Sequence, residues 1–557
     1  MNLDISSKIK NFILPNLVFF LCFFLLGLLL FKNPFSERNL IANLEPYPDT
    51  FHYINPAIHF FENLDFKLST GGTFINPTVA PLYSVLLVPF FLFSHDPRMF
   101  YFANLIVSFS SVFFLYLILK KIIKRQILMV LPLFLFTSNY FIYWVPTLAM
   151  AENLILFLFL AGTYLLISED SFRNKLFAGF VGGAFFVTKT ADFPITALYF
   201  LFYLIKIFRS RKTQFIVKLR SFASFFLVFL FLSSLFLVYE TFHGVSFKIF
   251  WNLFFGSLFG QVARSDGKLI LAGAKFSWFS LNYFSNNFPQ YLSSIFGRSV
   301  RFLWDYTPLV PFWLGLLGIS GILISLFSKK LKLLAFFLFS VLFGQIVFMS
   351  TFYTVDTRYI YTSIPILIIG IALFESFIYG FLDKKIVLKS LYFGLLFLGI
   401  FLVLFSSFTR LKYQIMLNLR HSETPWYFVS VKKMNEYFTN EKVKNNKKPY
   451  LISAMSPYFI DFYTNNNYKV LPLSQDQDFM SFKQIVWQGD PKDFSDLPAL
   501  YKKLINQGDS VYVEKYGLGN VSALHRDFNK LNEDFILTEV YSGCYDLCNI
   551  YKVELRI

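Results

Sequence analysis

Cysteine is almost absent. Three residues in 557, Cys22 inside an apolar run and Cys544 and Cys548 close together near the C-terminus, set no disulfide framework. The CxxxC pair forms a local disulfide if its domain lies outside the cytoplasm; as a metal pair it is weak. A glycine-rich phosphate loop after a strand is also missing, which excludes a nucleotide-binding domain of that kind. Internal repeats with matched broken helices, expected of a secondary transporter, are not found. Charge is sparse too: 15% of residues are charged, against 55% hydrophobic and 21% aromatic. With a mean hydropathy of +0.53, the chain is too apolar for an ordinary soluble protein.

What is present is a series of apolar spans. The 78 phenylalanines read as lipid-facing and core filler, although a codon bias toward Phe would look the same. The net charge of +17 would suit nucleic acid, but Lys and Arg fall in short clusters between apolar runs. That is the signature of cytoplasmic loops, so nucleic-acid binding is not expected. Lys8 and Lys10 precede an apolar run from Phe12 to Phe31, read as an anchor with the N-terminus inside. A signal peptide is the alternative, but the run is long and no small-residue cleavage site follows. Residues 33–78 are then outside.

The next run, Ala80 to Phe93, is short for a crossing. Letting it cross would place Lys120, Lys121, Lys124 and Arg125 outside, so it is expected to lie flat or re-entrant on the outer face. Spans are then expected near 99–119, 127–145, 147–167, 176–188, 191–208, 221–239, 308–328, 333–351, 360–380 and 387–408. That makes about eleven, and every basic loop cluster lands inside. A long outer loop covers 240–307. The fold class is therefore an α-helical polytopic membrane protein over residues 1–410, followed by a C-terminal α/β domain, residues 411–557, outside. Within that domain helices are expected over 430–438, 458–463 and 497–506, and strands over 449–453, 468–471, 510–513 and 550–555.

The chemistry is expected in the first outer loop, residues 33–98. Asp49 sits where the chain leaves the bilayer. Asn55-Pro56 reads as an N-cap followed by proline at the first helical position, so a surface helix is expected to start there. His52 and His59, seven apart with Glu62 nearby, raise a metal site, but Pro56 is expected to interrupt the helix between them, and surface or packing roles are preferred. Ionisable residues at the span edges come next, because a charge at the bilayer centre costs about 2.5–3.5 kcal/mol. Glu152, Lys189 and Arg358 all fall on the side that carries Asp49. Each alone reads as snorkelling; three together favour a shared polar cavity.

These residues carry a resemblance. The order is an acid after the first span, then Asn76-Pro77-Thr78-Val79-Ala80-Pro81-Leu82-Tyr83-Ser84-Val85-Leu86-Leu87. A span opening with Ala151-Glu152 follows, then a Thr188-Lys189 turn and Asp356-Thr357-Arg358-Tyr359 leading to Pro365. It is similar to the GT-C superfamily of integral-membrane glycosyltransferases, in the branch of dolichyl-phosphate-mannose protein mannosyltransferases and lipid A aminoarabinose transferases. That resemblance covers about residues 10–410, and the C-terminal domain fits the extracytoplasmic domain of many members.

The resemblance implies an inverting-type transfer of a sugar from a polyprenyl-phosphate donor to a lipid, glycan or protein acceptor at the outer face of the cytoplasmic membrane. Such chemistry needs a base for the acceptor hydroxyl and cations for the departing phosphate. Asp49 would be that base. Lys189 and Arg358 would hold the phosphate, as a point charge and a bidentate fork. Glu152 would orient Lys189 or a sugar hydroxyl, and His52, Tyr53 and Tyr83 would bind substrate. The family's first outer loop typically reads Asp-Glu or Asp-Asp. Here Thr50 follows Asp49, so no metal ligand set carries over, and a divalent metal stays open. Two rivals remain: a secondary transporter or lipid flippase, and a non-catalytic scaffold whose C-terminal domain binds a partner.

Overall fold

The computed structural model describes residues 14–31, 48–70, 73–75, 79–94, 97–209, 214–243, 279–302, 306–352, 354–382, 408–416, 434–440, 447–454, 468–474, 496–518, 522–543 and 548–556, with isolated positions between them. Asn76 to Thr78, Asp383 to Lys385, the expected helix over 458–463, Cys544 and most of the expected span over 387–408 lie outside the described residues.

The membrane part is a helical bundle. Its helices are α1 (Leu14–Leu30), α2 (Pro48–Asn63), α3 (Leu82–Phe91), α4 (Phe100–Ile122), α5 (Val130–Thr137), α6 (Tyr140–Trp144) and α7 (Glu152–Ile167). They continue with α8 (Phe172–Thr188), α9 (Phe193–Arg209), α10 (Phe215–His243), α11 (Phe284–Ser294), α12 (Phe312–Ser325), α13 (Lys332–Met349) and α14 (Ser363–Leu382). Among the described residues four stretches are long and apolar enough to cross a membrane: Phe100–Ile122, Phe215–Leu235, Lys332–Met349 and Ser363–Leu382. The expected continuous span over 127–145 is instead two segments, Gln126–Thr137 and Tyr140–Thr147, bent by 61°. The cause is local. Ser138 Oγ turns back onto the Phe134 carbonyl at 2.7 Å, and Asn139 caps α6 by accepting the Phe141 amide at 3.0 Å, which ends one helix and starts another.

Close helix crossings hold the bundle. A Cβ built on Gly321 of α12 would stand 1.9 Å from the Gly370 carbonyl oxygen of α14, and one on Gly370 would stand 2.2 Å from the Gly318 carbonyl oxygen. Only glycine permits that approach, and in a bilayer, where packing replaces the hydrophobic drive, such contacts associate helices.

The segment after α1 corrects one expectation. α2 begins at Pro48 and runs through Pro56 without stopping; Pro48 takes the proline-tolerant first helical position, and Pro56 omits one amide bond inside the helix. The helix ends where Leu64 enters the left-handed region at φ 58, a common helix stop. His52 and His59 therefore share a helix, but seven residues of rise part them by about 10.5 Å along its axis. His59 Nδ1 meets the Asp65 carbonyl at 2.7 Å. A short hairpin not expected from the sequence, β1 (Leu68–Thr70) with β2 (Thr73–Ile75), follows.

Among the described residues the C-terminal part forms a five-stranded sheet of order β4-β3-β5-β7-β6, made of β3 (Tyr450–Ser453), β4 (Lys469–Pro472), β5 (Val511–Glu514), β6 (Phe535–Tyr541) and β7 (Ile550–Leu555). β4, β3 and β5 are parallel; β7 and β6 complete the sheet antiparallel. Its inner strands alternate between two buried faces. Tyr450, Ile452, Val511 and Val513 pack with Leu497, Tyr501 and Leu504 of α15 (Leu497–Asn506), while Leu451 and Tyr512 pack with Phe438 and Tyr468. Burial on both faces explains the near-continuous apolar runs. The expected strands near 450, 469 and 511, the last strand and the helix over 497–506 are found within a residue or two; β6 and α16 (Ser522–Asp534) were not expected.

Candidate functional site

Three turns and two helix ends build a polar site at one end of the bundle. α2 buries Phe51, His52, Tyr53, Ile54 and Asn55. The Tyr53 ring meets the Tyr83 ring edge-on, centroids 5.1 Å apart. Tyr83, from α3, donates to Asn104 Oδ1 at 2.8 Å. Asn104 in turn donates to the Pro146 and Leu148 carbonyls at 2.9 and 2.7 Å, and Asn153 donates to the Asn104 carbonyl at 3.1 Å. This lattice of neutral hydrogen bonds fixes the turn from which Glu152 projects. Burial foremost, and the nearby Glu152 carboxylate after it, raises the Tyr83 phenol well above its usual range, so Tyr83 stays a neutral donor.

Glu152 opens α7. One of its oxygens accepts from Lys189 Nζ at 2.7 Å. Lys189 ends α8 in an extended conformation, which swings its side chain off the helix and toward α7. The ammonium also lies 5.1 Å from the centroid of the Tyr359 ring.

Arg358 approaches the same ring. Its guanidinium stands 4.8 Å from the Tyr359 centroid, and Nη2 donates to the Tyr359 hydroxyl at 2.9 Å. Asp356 caps this 3₁₀ turn by accepting the Arg358 amide at 3.0 Å, and its other oxygen pairs with Arg358 Nε at 3.3 Å. The Tyr291 hydroxyl of α11 braces Asp356, donating to its carbonyl at 3.3 Å and accepting its amide at 3.1 Å. Two cations thus meet one aromatic ring, an arrangement that cation–π attraction supports.

Glu152, Lys189 and Arg358 are accordingly brought together, and Tyr53 and Tyr83 stand beside Glu152 through the Asn104 lattice. His52 is buried in the same helix face region. Position 49 lies three and four residues before His52 and Tyr53 in α2 and so shares their side of the helix; its side chain is outside the described residues. Cys548 is held in a disulfide, and Cys22 is free.

Sequence reasoning missed Asp192, which accepts from Gln345 Nε2 at 3.3 Å. It is buried, 4% exposed, and its amide bonds the Lys189 carbonyl. The signal was available: an acid three residues after Lys189 in an apolar stretch is itself a functional hint. Asn55 was read as a cap but is buried inside α2, its Nδ2 without a hydrogen-bond partner. Among the described residues no group of three or more His, Cys, Asp or Glu side chains is placed to share a metal ion, and Glu152 is turned to Lys189.

No known family profile matches the sequence, and no curated relative matches it. Solved structures do. ArnT from Cupriavidus metallidurans bound to undecaprenyl phosphate superposes with a TM-score of 0.59 at 11% identity, over 97% of both chains. Its apo state gives 0.55 at 14%, over 91% of this chain and 93% of that one. The oligosaccharyltransferase of Archaeoglobus fulgidus in the apo form gives 0.55 at 14%, over 99% of this chain and 75% of that one. This chain therefore shares the fold of ArnT and of the archaeal oligosaccharyltransferase.

Proposed function

We propose that this protein is a membrane glycosyltransferase that moves a sugar from a polyprenyl-phosphate donor to an extracytoplasmic acceptor. The observation that carries the reading is the convergence of Lys189 and Arg358 on Tyr359, beside the Tyr53–Tyr83 pair, in a fold shared with a protein that holds undecaprenyl phosphate.

Asp49 takes the proton of the acceptor hydroxyl as that oxygen attacks the anomeric carbon. The bond from the anomeric carbon to the phosphate oxygen breaks, and the leaving group gains a charge. Lys189 and Arg358 bind that developing charge, where preorganised cations in a water-poor site act most strongly. Glu152 holds Lys189 until the phosphate replaces it as partner. His52, Tyr53 and Tyr83 form the sugar side, Tyr83 as a fixed neutral donor. The bond energy resides in the donor, so the reaction calls for no nucleotide. The site faces the outside of the cytoplasmic membrane in this reading, together with the sheet domain of residues 411–557; the positive-inside placement of the basic loops supports it, as does the disulfide at Cys548.

The test is transfer from radiolabelled polyprenyl-phosphate sugars to total membrane lipid and protein, with wild type and Asp49→Asn in nanodiscs. Label moves only with the wild type, and the labelled fraction identifies the acceptor. Flipping of labelled lipid without any transfer would replace this reading by the flippase.

A further inference from the structure

Asp192 belongs to no step above, yet the fold invests in it. Its amide donates to the Lys189 carbonyl at 3.1 Å, so the two residues share one tight turn. Its Oδ1 accepts from Gln345 Nε2, whose amide also donates to the Tyr359 carbonyl at 3.4 Å. The Gln345 Oε1 accepts from Thr362. With both ends of its amide engaged, Gln345 ties Asp192 to the turn that carries Tyr359 and Arg358. The charged groups around Asp192 are Lys189 from its own turn and Glu152 from α7; Arg358 lies across the Tyr359 ring, paired with Asp356.

Charge counting shows what this does. Lys189, Glu152 and Asp192 sum to +1 −1 −1 = −1 with both acids ionised, and to 0 with Asp192 neutral. We propose, resting on the donor-phosphate reading above, that Asp192 is a positioning residue whose charge state, held by Gln345, sets how strongly Lys189 binds the donor phosphate. Ionised Asp192 competes with the phosphate for the Lys189 field; neutral Asp192 leaves Glu152 as the anion that the phosphate must displace. Removing the Asp192 charge therefore strengthens phosphate binding, and keeping it holds binding down.

The experiment measures binding of the monomethyl ester of undecaprenyl phosphate, a diester whose single charge does not titrate, to the full chain in nanodiscs at about pH 8, where carboxylates are ordinarily ionised. Wild type, Asp192→Asn and Asp192→Glu are compared. Asp192→Asn binds on the order of tenfold more tightly than wild type, and Asp192→Glu, which keeps the charge, binds as wild type does. Asp192→Asn binding no more tightly than wild type overturns the proposal and leaves the transferase reading standing. Asp192→Asn that does not bind makes Asp192 a scaffold residue and also overturns it. Wild type that does not bind the diester removes the phosphate site, and both readings with it.

Discussion

Glu152 in the membrane part and Glu514 in the C-terminal sheet are both buried acids, 4% and 1% exposed, with partners of different kinds. Glu514 accepts from Ser453 Oγ at 2.6 Å and from the Gly517 amide at 2.8 Å. Those donors are neutral and fixed by β3 and by the turn that follows β5. Glu152 is held by the ammonium of a lysine on a flexible stem. Fixed neutral donors tie a carboxylate to the fold alone, whereas a movable cation can be surrendered to an arriving anion. That difference supports the proposal that the membrane end is the working site and the Glu514 cluster scaffold.

The sharpest break of the comparison is at position 49. Asp49→Asn is expected to lower the initial rate of transfer by about 10²–10⁴, the usual worth of a general base, with the folded protein recovered in normal yield. Retained turnover would take the base out of α2. Next, Lys189→Met should cost about 10²–10³ in kcat/KM. Arg358→Lys, which keeps the charge and loses the fork, should cost about tenfold in the same rate measurement. If the two substitutions had equal effects, bidentate contact would be ruled out.

The smaller effects concern stability. Gly370→Val forces a side chain into the α12 crossing and is expected to destabilise the bundle by about 1–3 kcal/mol, read as a lower unfolding temperature. Glu514→Gln should leave transfer untouched while costing about 1–3 kcal/mol, because a carboxylate oxygen that accepts the Gly517 amide becomes a donor. Its pH behaviour separates it further. Burial foremost raises Glu514 above 4.5, so the folded chain holds the proton more tightly than the unfolded one. That stabilisation is complete below 4.5 and is lost as pH rises through the folded value. Glu514→Gln should flatten this part of the stability curve; a rate that changes with it would contradict the scaffold assignment.

Much of the proposed site was legible because the bilayer penalises charge. Glu152, Lys189 and Arg358 stood out as ions at the ends of apolar runs, and the structure joins them through one ion pair and one shared ring. Asn104 and Gln345 were not legible: a neutral amide inside an apolar helix carries no signal until its partners on other helices are known. Asn55-Pro56 misled for a local reason. The dipeptide is a sound helix start, but tertiary burial of the whole α2 face carries the helix through Pro56, and one missing amide bond is a small loss against that burial.

By itself the sequence determined the membrane class, the order of the apolar segments, most strands of the C-terminal sheet and the ionisable residues at the span edges, since all of these follow from composition, period and the cost of burying charge. The break at Ser138-Asn139, the convergence of two cations on Tyr359 and the place of Asp192 beside Lys189 were decided by the tertiary structure alone. They depend on which helices cross, and glycine contacts such as Gly321 on Gly370 set those crossings through pairs 49 residues apart in the chain.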